Sequence, residues 1–242
     1  MSARKILACL ALACCTIAAI SATLYFQHSR QTAMDNSHRA VESTSQMLAG
    51  ELQTYLQVQA RASALLAELP PVSALLNNHN ERTSKDATQI LNKTCHAFGA
   101  SICYLMDMDG TVAADSTNSA SPRITGNNYA FRPYFTQSIE QGQGVYLAMG
   151  VTTKKRGLYF SNLVRSDSGD PLGVAVIKFP VDNLEQKFTT PSGISALVDP
   201  NGIIFASTRS NWILNALWKL TDEQNQALVN SRQFGDSALD SL

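Results

Sequence analysis

The 242-residue sequence predicts an α+β fold, a long N-terminal helix followed by two antiparallel-sheet units in tandem, the second small or incomplete. Three observations carry this. Helix-compatible sequence runs on, with Gly50 its only glycine after the first apolar stretch, until Pro70-Pro71. From Ile102 the apolar pattern takes the period of two that belongs to strands. A strand, Asp-turn, strand unit at residues 105–117 recurs at 197–208, an offset of 92 positions.

The first helix divides by composition. Residues 6–26 carry no charge and follow Arg4 and Lys5. A helix of that length spans roughly 30 Å, the thickness of a bilayer core, and the basic pair keeps the N-terminus cytoplasmic. Residues 1–26 are therefore expected to be a transmembrane anchor in a bacterial inner membrane, with the rest of the chain in the periplasm. A cleaved signal peptide is the alternative, since Ile20-Ser21-Ala22 loosely suits small-residue cleavage. Residues 27–69 continue as a stalk helix. Met34, Val41, Leu48, Tyr55 and Ala62 recur every seven positions, a single seam that suits packing against a domain and a second copy, hence a homodimer through this helix.

Two short helices are expected at 72–78 and 85–98. Strands at 102–107 and 111–115 flank Met108-Asp109-Gly110, a hairpin signal. A polar loop covers 116–128, and a helix starts at Pro133, which a first helical turn tolerates. Strands at 144–152, 157–165 and 172–179 complete a PAS-like unit, expected over 70–190 and distal to the membrane. Residues 191–242 are expected to form a membrane-proximal unit. The first unit takes about 75 residues from its hairpin to its last strand and the second has about 45, so the second is small or the chain stops inside it.

Balanced charge, 19 Lys+Arg against 19 Asp+Glu, leaves no basic footprint for nucleic acid. Enzyme signatures are absent: no nucleophile elbow, phosphate loop, zinc-protease helix or dinucleotide fingerprint occurs, and all four histidines precede the sheet. The chain is expected to be no enzyme and to take no cofactor or metal. Cys95 and Cys103 stand eight positions apart, which suits either a disulfide or two buried thiols.

Strand alternation selects the candidate site. In 144–152, Tyr146, Ala148, Gly150 and Thr152 share one face. A regular hairpin closed by Thr153-Lys154-Lys155-Arg156 sets Gly150 opposite Tyr159 and Ala148 opposite Ser161. Hydroxyls of Tyr146, Thr152, Tyr159 and Ser161 then gather around small residues. Lys178 ends an otherwise apolar strand, and Arg132 stands just before the helix expected to cover the sheet. A planar guanidinium and an ammonium among hydroxyls suit a carboxylate pair; the competing reading is an Arg132 bound to an internal acid and a Lys178 that reaches solvent.

Asn128-Tyr129-Ala130-Phe131-Arg132-Pro133-Tyr134-Phe135, Ala148-Met149-Gly150-Val151-Thr152, Arg156-Gly157-Leu158-Tyr159-Phe160-Ser161 and Val176-Ile177-Lys178 together resemble the signature of double Cache extracytoplasmic sensor domains, in particular those of C4-dicarboxylate sensor histidine kinases of the DctB type. Asp199-Pro200-Asn201-Gly202, Ser207-Thr208-Arg209 and Ser231-Arg232-Gln233-Phe234-Gly235-Asp236 resemble the membrane-proximal part of the same sensors. The resemblance implies a membrane-distal pocket for a dicarboxylate such as succinate, malate or fumarate. Arg132 and Lys178 would be its carboxylate partners, with Tyr129, Thr152 and Gly150 as hydrogen-bonding or close-approach positions. Tyr146 and Ser161 join the candidates from the strand-face reading. The sequence departs from the family at Asn162-Leu163, where an aromatic and a proline are usual, and carries Val151 between the glycine and the threonine. Family members continue into a kinase, cyclase or chemoreceptor output, and no such motif follows Phe26; a fragment of a receptor or a truncated product fits. A sensor for another small ligand, or a periplasmic protein-interaction module, is the alternative function.

Overall fold

The computed structural model describes residues 3–116, 123–188 and 193–235; the side chains of 3–9, 11 and 13 lie outside that description. Two units separate, Met1–Glu51 and Leu52–Leu242. The first is helical through its described residues, all belonging to α1 (Ala3–Ala67). Its seam residues Met34 and Val41 are exposed. Among the described residues no helix is long and apolar enough to cross a membrane. Side chains at 6–9, 11 and 13, part of the expected anchor, fall outside the described residues.

In the second unit the end of α1 is followed by α2 (Pro70–Asn77) and α3 (Glu81–Ala97). Pro70-Pro71 ends one helix and also opens the next, because a first turn has no use for the missing N–H groups. Asn80 caps α3 in a reciprocal pair with Thr83, so the helix starts four residues before its expected position.

The main sheet has five antiparallel strands in the order β2-β1-β5-β4-β3. These are β1 (Ile102–Met106), β2 (Val112–Asp115), β3 (Gln143–Met149), β4 (Arg156–Arg165) and β5 (Pro171–Pro180), with α4 (Pro133–Gln141) between β2 and β3. The closing strand β5 inserts between β1 and β4, so all three inner strands are buried on both faces. One face packs against α2 and α3, and Asn162 donates to the Ser63 hydroxyl of α1 at 2.6 Å. The other face packs against α4, over a core that includes Ile102, Tyr104, Tyr134, Phe135, Tyr159 and Val176.

The β3–β4 register differs from the expected hairpin. Tyr159 pairs with Tyr146 and Ser161 with Gly144. The ladder stops at Met149 and Arg156, and residues 150–155 form a wider loop in which Lys154 donates to the Gly150 carbonyl (2.7 Å) and takes a left-handed conformation (φ 53°). The slip is an even number of positions, so every side chain keeps its expected face.

After α5 (Asp182–Glu185), β6 (Ala196–Val198) and β7 (Ile204–Ser207) form a two-stranded sheet, and α6 (Asp222–Ser231) follows. The repeat is a structural one. Tyr104, Leu105 and Met106 pair with Asp115, Ala114 and Val112, while Ala196, Leu197 and Val198 pair with Ser207, Ala206 and Ile204, with a bulge at the same step. Each pairing is displaced by the same 92 positions. The turns are built alike: Asp107 Oδ1 accepts from the Asp109 and Thr111 amides at 3.0 and 2.8 Å, and Asp199 Oδ1 from Asn201 and Ile203, both at 2.9 Å.

Candidate functional site

The α4-covered face of the large sheet holds a cavity lined by Ile102, Tyr104, Ile124, Tyr129, Arg132 and Tyr134, and by Gly150, Val151, Thr152, Thr153, Tyr159 and Lys178. Its walls come from β1, β4, β5, the first turn of α4, the segment 123–132 and the loop 150–155. β1 and β5 lie side by side with Ile102 opposite Lys178, and alternation turns Ile102, Tyr104 and Lys178 to the same face. The segment 123–132 is drawn over them by Asp115, whose Oδ2 accepts from the Ile124 and Thr125 amides (2.8 and 2.7 Å) and the Thr125 hydroxyl (2.8 Å). The loop 150–155 closes the rim, where the Tyr129 hydroxyl meets Thr152 Oγ1 at 2.8 Å.

Pro133 accounts for the pose of Arg132. A residue before proline is pushed out of the helical region, and Arg132 is extended (φ −80°, ψ 131°) at the N-cap of α4. Its side chain therefore leaves the helix and enters the site, where it is only 2% exposed. Nη2 donates to the Met149 carbonyl at 2.7 Å, and Nη1 to the carbonyls of Ser231 and Arg232 at 3.3 and 3.0 Å. The partner is thus neither an internal acid nor solvent. Gln233 continues this clasp: its carbonyl accepts from the Met149 amide at 2.7 Å and its amide donates to the Leu147 carbonyl at 2.9 Å.

Lys178 is 3% exposed, so it does not reach solvent as the competing reading had it. Nζ donates to Thr153 Oγ1 (3.0 Å) and to the Lys155 carbonyl (2.9 Å), and lies 5.3 Å from the centre of the Tyr159 ring. Burial, and then the like charges of Arg132 and Lys155, bring its pKa down to about 8. Gly150 makes this approach feasible, since a Cβ there would stand 2.8 Å from Nζ and 3.0 Å from the Tyr159 hydroxyl. Behind the cations, Tyr134 stacks on Tyr159 at 5.1 Å, and Tyr104 donates to the Tyr134 hydroxyl at 2.7 Å. Burial raises the pKa of all three phenols, which stay neutral.

Five of the seven sequence candidates, Arg132, Lys178, Tyr129, Thr152 and Gly150, meet at the cavity. Tyr146 and Ser161 do not line it. Tyr146 lies behind it, tilted against Tyr134 at 6.4 Å, and burial raises its pKa. Ser161 lies under α4, donating to the Tyr134 carbonyl (2.9 Å) and accepting from Ser138 (2.7 Å). A strand face is longer than a cavity, and α4 seals this part of it. Ser161→Ala is therefore expected to cost about 1–2 kcal/mol of stability by orphaning Ser138. Ligand affinity should stay unchanged, which a melt and a titration of the same protein would check. Sequence reasoning missed Ile102, Tyr104 and Ile124, because the signal for them is the distant pairing of β1 with β5 and the reach of Asp115.

Residues 27–237 match the family pattern described as the Cache domain. The chain belongs to the Cache domain family. This Cache domain is 31% identical over 140 residues to the C4-dicarboxylate transport sensor protein DctB of Rhizobium meliloti, a match covering 58% of this chain and 22% of that protein. The chain thus spans about a fifth of the length of that curated relative. It superimposes with a TM-score of 0.79 on the sensor domain of the Vibrio cholerae histidine kinase DctB, at 25% identity, covering 87% of this chain and 81% of that one. The ligand-binding domain of the Campylobacter jejuni chemoreceptor Tlp3, solved with 4-methylisoleucine, shares the fold at a TM-score of 0.60 and 20% identity, covering 76% and 73%. The Cache domain here is accordingly a sensor module of the kind found in DctB-type receptors and chemoreceptors, a ligand-binding fold rather than a catalytic one.

Proposed function

We propose that this Cache domain senses a C4-dicarboxylate such as succinate, malate or fumarate in the cavity between α4 and the sheet. One observation carries the choice: two buried cations, Arg132 and Lys178, face the cavity, and no Asp or Glu is among the described residues that line it. A dianion satisfies both charges, whereas a zwitterionic amino acid brings an ammonium with no counter-charge to meet it. The hydroxyls of Tyr129, Thr152 and Tyr159 supply the remaining hydrogen bonds. The matches to DctB sensors point the same way.

The cavity measures about 30 Å³, room for roughly two waters, so a four-carbon diacid enters by widening it. The loop 150–155 is the wall that yields, because Lys178 holds it through Thr153 and Lys155, and a ligand carboxylate replaces those acceptors. A carboxylate at Arg132 competes in the same way with the Ser231 and Arg232 carbonyls. Binding therefore loosens the clasp on the segment after α6, and the signal is the shift between clasped and released populations. In this reading residues 6–26 anchor the chain in a bacterial inner membrane with the sensor in the periplasm, α1 pairs two copies, residues 70–190 and 191–242 are the distal and proximal units, and the output domain belongs to a longer receptor.

The test is thermal melting of the full chain in detergent against diacids, tricarboxylates, amino acids and sugars. Ligand at a hundred times its dissociation constant adds about 2.7 kcal/mol, a rise of roughly 5–10 °C for a domain of this size. Succinate, malate or fumarate should produce it. A rise with amino acids alone, or with nothing in the panel, would overturn the dicarboxylate reading.

A further inference from the structure

On the sheet face opposite the cavity lies a pair of groups that ligand binding does not use. Cys95 sits in the last turns of α3 and Cys103 in β1, both buried and neither in a disulfide. The chain reverses tightly between them: the Ala100 amide donates to the Cys95 carbonyl at 2.9 Å, and Gly99 takes a left-handed turn (φ 62°). Alternation along β1 turns Ile102 and Tyr104 to the cavity and Cys103 to α3. The two thiols are near enough for each to shift the titration of the other. The Cys103 backbone is held on both sides, its amide donating to Ser116 Oγ at 3.0 Å and its carbonyl accepting from the Ser116 amide at 2.7 Å.

We propose that Cys95 and Cys103 form a redox-active pair that closes to a disulfide joining α3 to β1. The roles within the pair differ. The Cys95 thiol donates to the Ala100 carbonyl at 3.2 Å, and its pKa is lowered to about 7, chiefly by Cys103, so it gives up its proton more readily than an ordinary thiol. Cys103 is pushed far up, by Cys95 beside it and by burial, and keeps its proton. Cys95 is 6% exposed and Cys103 fully buried, so Cys95 is the sulfur a donor reaches first: it is the attacking group and Cys103 the resolving one.

The step is thiol–disulfide exchange with a disulfide donor, either the disulfide form of a redox protein or a small disulfide. The Cys95 thiolate attacks one donor sulfur and the donor S–S bond breaks, releasing the first donor thiolate. Cys103 gives its proton to that thiolate and attacks Cys95 Sγ in the mixed disulfide, expelling the second donor thiolate, which takes up a proton from solvent in place of the one Cys95 gave up. Two protein thiols are oxidised and one donor disulfide is reduced to two thiols. The reverse reaction with a dithiol reopens the pair. The link lies beside the site, since the Ser101 amide donates to the Lys178 carbonyl at 2.7 Å.

No Lys or Arg lies between the two cysteines, so trypsin releases both in one peptide, residues 94–123. The full chain is incubated with oxidised glutathione, alkylated under native and then denaturing conditions without reductant, and digested. The expected result is a 94–123 peptide lighter by two hydrogens and unalkylated, which gains two alkyl groups after dithiothreitol. The oxidised chain should also melt roughly 5 °C or more above the reduced one, a difference absent in Cys95→Ala. Recovery of 94–123 with both cysteines alkylated after oxidant would overturn the proposal. So would a glutathione adduct on Cys95 that never closes onto Cys103.

Discussion

Arg132→Ala is expected to abolish the dicarboxylate-induced rise in melting temperature and also to lower the melting temperature of the free protein. The two losses have different origins. Toward the ligand, the substitution removes a charge-assisted contact worth roughly 2–4 kcal/mol, a factor of about thirty to a thousand in affinity. Toward the fold, it strips the donor from three backbone carbonyls, those of Met149, Ser231 and Arg232, in a site where Arg132 is almost fully buried. Leaving buried acceptors unpaired costs about 1–3 kcal/mol. A second variant separates the effects. Gln233→Ala cuts the same clasp at the Leu147 carbonyl, outside the cavity, so it should lower the melting temperature of the free protein while the affinity holds or rises, because a weaker clasp competes less with the ligand. Titration calorimetry on both variants reads the difference. A folded Arg132→Ala protein with parental affinity would remove Arg132 from the site.

Lys178→Met should stabilise the free protein or leave it unchanged, while eliminating dicarboxylate binding. A buried ammonium held by one carbonyl and one hydroxyl is a cost to the fold, and an apolar chain of similar length relieves it. The pH dependence carries the sign. Lys178 has a pKa of about 8 in the folded protein against an ordinary value of 10.5. Below pH 8 both states hold the proton and the full penalty, on the order of 3 kcal/mol, is present. Between pH 8 and 10.5 the unfolded chain binds more protons than the folded one, so the penalty fades as pH rises. The stability of the parent should therefore gain on that of Lys178→Met across this window. Affinity moves the opposite way, flat below pH 8 and falling by up to about tenfold per pH unit above it as the free site loses its charge. Parallel denaturant melts at pH 7 and pH 9.5, with ligand titrations at the same values, test both halves. A binding curve insensitive to pH across this range would mean that Lys178 does not meet the ligand.

What was legible in the sequence is what neighbours along the chain control. Pro133 starts α4 and extends the backbone of Arg132. The repeat at 92 positions announces two turns built on Asp107 and Asp199, because an Asp carboxylate that accepts amides two and four residues on needs no help from elsewhere. Alternation puts Tyr146, Ala148, Tyr159 and Ser161 on one face, and the even slip in register leaves them there.

Long-range closure governed the rest. The β3–β4 register was set by where a six-residue loop could close, not by the residues facing across it. Tyr104 entered the site only because β5 inserts beside β1, pairing Tyr104 with Val176. Ser161 was excluded because α4 covers its end of the strand. The carbonyl partners of Arg132 stand up to a hundred positions away, and no local pattern records them. Period and capping act over a turn or a strand, where each residue feels its neighbours. Pairings and cavities depend on which distant surfaces meet, and only the folded chain brings those together.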